Sequence, residues 1–219
     1  MITFNDIKND KAIRTYISAA DETLAALGYT EHSFAHVTKV AHDAARILTA
    51  LGYDEDTVEL TRIAGFMHDI GNVVNRVDHS QSGAIIAFRI LDKMGMDPER
   101  IVSVVTAIGN HDEGTGVPVS AIAAAIILAD KSDVRRTRVR NFDPMTYDIH
   151  DRVNYSAVES ELKIDAEEKI IRLVLTIDTE ISSIMDYFEI FLTRMVMCRH
   201  AAEKLGLSFK LTINDQSFI

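Results

Sequence analysis

The stretch GFMHDIGN, Gly65 to Asn72, sets a histidine directly beside an aspartate where an apolar helical run gives way to glycine. Both side chains can hold a divalent cation, and both are costly inside a helical core unless something compensates for them. The residues before the pair, EDTVELTRIAGFMHD, have apolar positions at helical spacing from about Asp54, and we expect that helix to end at Gly71.

Working outward, residues 5–27 place Ile7, Ile13, Ile17, Leu24 and Leu27 at helical spacing and stop at Gly28. A second helix opens at Ser33 and runs to Gly52. After the pair come HSQSGAIIAFRILDKMG, then DPERIVSVVTAIGNH with Pro98 in its first turn, then SAIAAAIILADKSDVRRTR. Up to about residue 140 the pattern is all-α with short, glycine-marked joints. Beyond Asn141 the pattern changes: YSAVESELKID and KIIRLVLTID read as a hairpin, the segment ending at Gly206 as one long helix, and LSFKLTIN as a last strand. The expected fold is mainly α, with a small C-terminal ββαβ antiparallel-sheet extension. The division expected is 1–145 for the helical part and 146–219 for the α+β extension packed on it.

Apolar residues make up 47% of the 219, with three prolines, which excludes a disordered chain. Cys198 is alone, so no intrachain disulfide forms, and the first thirty residues lack a secretory pattern. VSAIAAAIILA, from Val119, is too short to span a bilayer. We therefore expect a cytoplasmic protein with no membrane partner. The net charge of −10 argues against general nucleic-acid binding.

A His-Asp pair alone is common and usually structural. The neighbours alter that reading: His36 lies on the preceding helix, His79 begins the following one, His111 ends the next, and Asp130 sits inside AIILADKSD. An aspartate flanked by Ile126, Ile127, Leu128 and Ala129 needs a cation to offset its desolvation. Mixed imidazole and carboxylate ligands suit Fe, Mn, Zn, Co or Ni, and carboxylates alone suit Mg. Successive helices of a bundle can bring such ligands to one centre.

In this order, His36, His68-Asp69 and Asp130 resemble the signature of the HD-domain superfamily of metal-dependent phosphohydrolases. The additional His79 and His111 resemble its dinuclear subset, which includes the HD-GYP phosphodiesterases. HDIGN is similar to that subset's HD-I-G-K, NHDEGTGVP to its HHE followed by G-x-G-Y-P, and ILADKSDVRRTRVR to the helix bearing the last aspartate. The likeness covers about residues 30–140. It implies an HD-type helical bundle with two divalent transition-metal ions, Fe or Mn foremost. His36, His68, Asp69 and Asp130 would hold the first, and Asp69 would bridge to a second held by His79 and His111. His68 and Asp69 would be the catalytic pair, and a metal-activated hydroxide would attack phosphorus.

The chain departs from the HD-GYP pattern at Asn72, Asn110 and Val117, which stand for lysine, histidine and tyrosine and make cyclic di-GMP doubtful as substrate. His32, one turn before His36, falls where some members with three metals have glutamate. His42, His150 and His200 read as surface or structural histidines. The run from Lys131 to Arg140 carries five cations against Asp133. It reads either as a solvated helix end favoured by the dipole or as a phosphate clamp. Lys131, Arg135, Arg138 and Asn72 are the candidate substrate-binding residues.

The function expected is cleavage of a phosphate ester of a nucleotide or related small phosphorylated molecule. Two alternatives stay open: a di-iron oxygenase of the same superfamily, and a metal-stabilised sensor or scaffold without catalysis. The hairpin's sheet edge suggests a homodimer.

Overall fold

The computed structural model describes residues 1–219 apart from 142, 144 and 146. The expected domain boundary falls on this segment, and residue 146 lies outside the described residues. The first helical stretch is split into α1 (Phe4–Asn9) and α2 (Lys11–Ala26). The break is at Asp10, whose carboxylate accepts from the Ala12 and Ile13 amides at 2.8 and 2.9 Å and so starts a new helix.

Ser33 caps α3 (Phe34–Ala50), and Asp54 caps α4 (Glu55–Met67). The two pack side by side. A Cβ at Gly65 would lie 2.9 Å from Ala41 Cα, so the missing side chain is what lets the two backbones come this close. The helix through the His-Asp pair stops earlier than expected. Asp69 leaves helical geometry at φ −96°, ψ 3°, and Ile70–Val73 forms a single 3-10 turn. The next helix accounts for the early stop: α5 (His79–Met94) begins against this turn. A Cβ on Gly71 would lie 2.5 Å from Gly83 N and closer still to the His79 carbonyl oxygen.

Next come α6 (Pro98–Gly109), with Pro98 in its first turn, and α7 (Ala121–Lys131). Apolar on every side, α7 is the central helix; Ile126, Ile127, Leu128 and Ala129 are wholly buried, and α3, α4, α6 and α9 all touch it. A helix that the sequence pattern did not suggest, α8 (Ile149–Ser156), is capped by Asp148, which accepts from the Asp151 amide at 2.8 Å. Tyr155 and Ser156 therefore finish a helix, and β1 (Ala157–Asp165) starts after them.

The hairpin of β1 and β2 (Ile170–Ile177) is antiparallel, as expected, with Asp165 opposite Ile170. The third strand corrects the expectation of a wholly antiparallel sheet: β3 (Ser208–Ile213) runs parallel to β2, with Ile170 opposite Ser208. The cause is α9 (Ile184–Lys204), which at 21 residues is about 31 Å long and carries the chain back to the end where β2 began. A two-residue β4 (Gln216–Ser217) completes the order β1-β2-β3-β4 through a turn with Asn214 and Asp215 at positive φ. One buried apolar cluster runs from Ile126 of α7 through Phe191 of α9 to Leu173 and Leu211 of the sheet. Among the described residues no helix is long and apolar enough to cross a membrane.

Candidate metal centre

Five helices deliver six side chains to one place. His36 comes from the first turn of α3, His68 and Asp69 from the end of α4, His79 from the start of α5, His111 from just past α6, and Asp130 from α7. All but Asp130 are buried; its side chain is 12% exposed and opens on a cleft of about 500 Å³. Asp130 is therefore less enclosed than its apolar neighbours in sequence suggested, and Lys131 Nζ pairs with its Oδ2 at 2.6 Å.

The four imidazoles are oriented alike. Nδ1 meets Asp133 Oδ2 at 2.7 Å in His36, the Gly65 carbonyl at 2.7 Å in His68, the Arg76 carbonyl at 3.0 Å in His79 and the Ile108 carbonyl at 2.6 Å in His111. A carbonyl or carboxylate oxygen accepts, so Nδ1 donates and Nε2 is left facing the cluster. His36 Nε2 and His68 Nε2 are buried without a hydrogen-bond partner among the described residues. A divalent cation satisfies such atoms, and the donor set fits one.

Asp69 divides the cluster. Its Oδ2 lies 3.2 Å from His68 Nε2 and 3.6 Å from His36 Nε2, while Oδ1 lies 3.3 Å from His79 Nε2 and 3.8 Å from His111 Nε2. Asp130 Oδ1 closes the first side, 3.3 Å from His36 Nε2 and 3.8 Å from His68 Nε2. His36, His68 and Asp130 can gather round one cation, and so can His68, Asp69 and His111. Asn72 fixes the carboxylate, donating from Nδ2 to both the carbonyl and Oδ1 of Asp69 at 2.9 Å.

The electrostatics agree. Burial pushes Asp69 up, but the imidazoles of His68, His111 and His36 around it outweigh this and hold the carboxyl well below its usual range. Burial likewise acts to raise Asp130, against the stronger combined pull of Lys131, His36 and His68. For His36, burial and the Arg138 charge act downward, yet Asp130, Asp133 and Asp69 raise it to about 10. Two of these carboxylates, Asp130 and Asp69, are among the residues that would hold a metal, while Asp133 acts from the far side of the ring.

The four expected substrate ligands part company. Lys131 and Arg138 line the cleft, but Arg138 already donates to the Glu31 and Asp133 carbonyls, both at 2.8 Å. Arg135 does not line the cleft; Asp133 at 2.8 Å and Glu31 at 3.4 Å occupy its guanidinium. Asn72 is fully buried behind Asp69 and donates to that carboxylate. His32 lines the cleft with its ring 5.4 Å from that of His36, and His150, read as a surface or structural residue, also faces the cleft.

Sequence reasoning missed Arg76 and Arg194 on the cleft wall and Glu113 behind it. Glu113 lies 3.3 Å from Lys131 Nζ and 2.6 Å from Arg194 Nε. Glu113, two residues past His111, was within reach of a motif reading; Arg194, on α9, carried no local signal.

The profile of the HD domain family matches residues 33–173, a span that contains all six cluster residues. The chain belongs to the HD domain family. The chain is similar to an uncharacterized protein, MJ1020, of Methanocaldococcus jannaschii, at 26% identity over 81% of this chain and 76% of that one. It is also similar to ribonuclease Y of Desulforamulus reducens, at 27% identity over 73% of this chain; the match spans 33% of that longer protein. A crystal structure of a predicted HD superfamily hydrolase, from an uncultured Thermotogales bacterium, aligns with a TM-score of 0.43 at 23% identity. That alignment covers 62% of this chain and 75% of the other.

Proposed function

We propose that this HD domain is a metal-dependent phosphohydrolase that cleaves a phosphate ester of a nucleotide or related small molecule. The observation that carries the reading is Asp69, which offers one carboxylate oxygen to each of two histidine pairs at the floor of an open cleft. His36, His68, Asp69 and Asp130 would hold one divalent cation, and His79, His111 and Asp69 a second. When bound, the cations supply Lewis acidity toward a water and toward the phosphoryl oxygens.

The protein's own groups do the rest. Nδ1 partners keep each imidazole aimed inward, and Asn72 holds the Asp69 carboxylate in its dividing position. Lys131, raised above its usual value because Asp130 and Glu113 outweigh the effect of burial, keeps a positive charge beside the place where phosphate would sit. Thus binding, orientation and charge neutralisation are all available in one cleft. The relative named a ribonuclease lends support to phosphodiesters within this substrate class.

We also propose that the α+β extension works as part of the catalytic unit, because Arg194 of α9 reaches Glu113. A homodimer through the outer edge of β1 is proposed from that strand's single paired side, and a monomeric mass in solution would remove it. The test of the function is release of phosphate or nucleoside monophosphate from a nucleotide panel by metal-loaded protein. Turnover retained in Asp69→Ala would refute the reading.

A further inference from the structure

Arg76 belongs to no ion pair among the described residues, although it lines the cleft beside the cluster. The other cleft cations are committed: Lys131 and Arg194 to Glu113, and Arg138 to two carbonyls. Arg76 instead points Nη1 at His79 Nε2, 3.4 Å away, and at Asn72 Oδ1, 3.5 Å away, with its guanidinium 5.8 Å from the centre of the Tyr29 ring.

The contact with His79 is unusual in its consequences. The Arg76 carbonyl accepts a hydrogen bond from His79 Nδ1–H, so in the neutral ring Nε2 carries the lone pair. His111 is held the same way by Ile108, and the two Nε2 atoms face each other at 3.2 Å. Two lone pairs at that distance repel unless something positive serves them. A guanidinium N–H can do so, and so can a divalent cation, but one lone pair cannot serve both. A guanidinium and a divalent cation at such close range also repel each other, unless an anion comes between them.

We propose that Arg76 makes cation binding at His79 and His111 depend on an anion, the phosphate group of the substrate. Without the anion, the guanidinium holds the His79 lone pair. A phosphate entering the cleft takes the guanidinium through its paired N–H donors and frees His79 for the second cation. The phosphate then lies between Arg76 and that cation. The proposal rests on the dinuclear reading of the site given above, and it adds a phosphate subsite and an order of assembly.

The test is a titration of metal-free protein with Mn²⁺, free Mn²⁺ being counted by electron paramagnetic resonance, with and without inorganic phosphate. Wild type, Arg76→Ala and Arg76→Lys are compared. Arg76 is partly exposed on a bend, and matching circular dichroism spectra confirm that the variants fold. In wild type the second equivalent is expected to bind about tenfold or more tightly when phosphate is present, and by reciprocity Mn²⁺ tightens phosphate by the same factor. In Arg76→Ala the second equivalent binds well without phosphate and gains little from it; Arg76→Lys keeps the charge but not the fork and falls between. Phosphate's own hold on Mn²⁺ is common to all three proteins, so the difference between them is the readout.

Two equivalents bound with no phosphate dependence in wild type, or with the same dependence in Arg76→Ala, overturn the proposal and leave the dinuclear site standing. One equivalent in every protein and condition overturns the dinuclear reading and this proposal with it.

Discussion

Asp133 Oδ2 lies 2.7 Å from His36 Nδ1, on the side of the ring turned away from the cluster. Its side chain is fully enclosed and shared with Arg135 and Arg138. This carboxylate makes His36 a better donor and fixes its ring, as outer partners of metal-bound histidines do. Asp133→Asn is expected to weaken cation binding by roughly 10- to 100-fold while the protein stays folded. Competition with a metal chelator measures it.

His79 and Asp69 separate the two halves of the centre. Protein loaded with Mn²⁺ in the presence of inorganic phosphate is expected to carry about two equivalents, falling toward one in His79→Ala and toward none in Asp69→Ala, since a bridging carboxylate would serve both ions. Elemental analysis of the three proteins decides this. An unchanged metal content in His79→Ala would leave a mononuclear centre.

Gly71 is the contact on which the start of α5 is seated. Gly71→Ala drives a Cβ into the His79 backbone, which cannot yield as a flexible side-chain end would. The expected cost is about 1–3 kcal/mol or more, read from urea denaturation, together with loss of metal at the His79 side. Gly65→Ala, pressed against Ala41 Cα, is expected to cost stability without singling out His79.

Glu113 sets a pH dependence. Burial pushes its carboxyl up, but the charges of Lys131 and Arg194 outweigh this and bring it down to about 2 from an ordinary 4.5. A carboxylate lowered in the folded state stabilises the fold above its unfolded value, and this contribution is lost as pH falls through the folded value. Stability is therefore expected to decline between about pH 4.5 and pH 2, and Glu113→Gln to flatten that part of the curve. Urea midpoints across this range test it.

The helical part and the positions of the six cluster residues could be read from the sequence because each lies near a helix end, several of them marked locally, by Ser33, by the HDIGN string, or by the apolar run before Asp130. What escaped depends on contacts distant along the chain. Asp133 and His36 are 97 residues apart, and nothing in the basic run after Asp130 shows that Arg135 spends its charge on Asp133 and Glu31. Asn72 occupies a lysine position of the resembling family, which suggested substrate; only the backward turn of Ile70–Val73 shows it bonded to Asp69. The parallel placement of β3 was open to a length argument, since a 21-residue helix spans the sheet. The short α8 was hidden by the β-branched residues just beyond it.

Arg194, Phe191 and the α8 residues reach the cleft from elements that supply none of the six cluster side chains. Inheritance can therefore act on the two parts separately. Substitutions along α8 and α9 reshape what the cleft admits while the histidines and aspartates remain untouched, so a lineage of such proteins can exchange one substrate for another without rebuilding its chemistry.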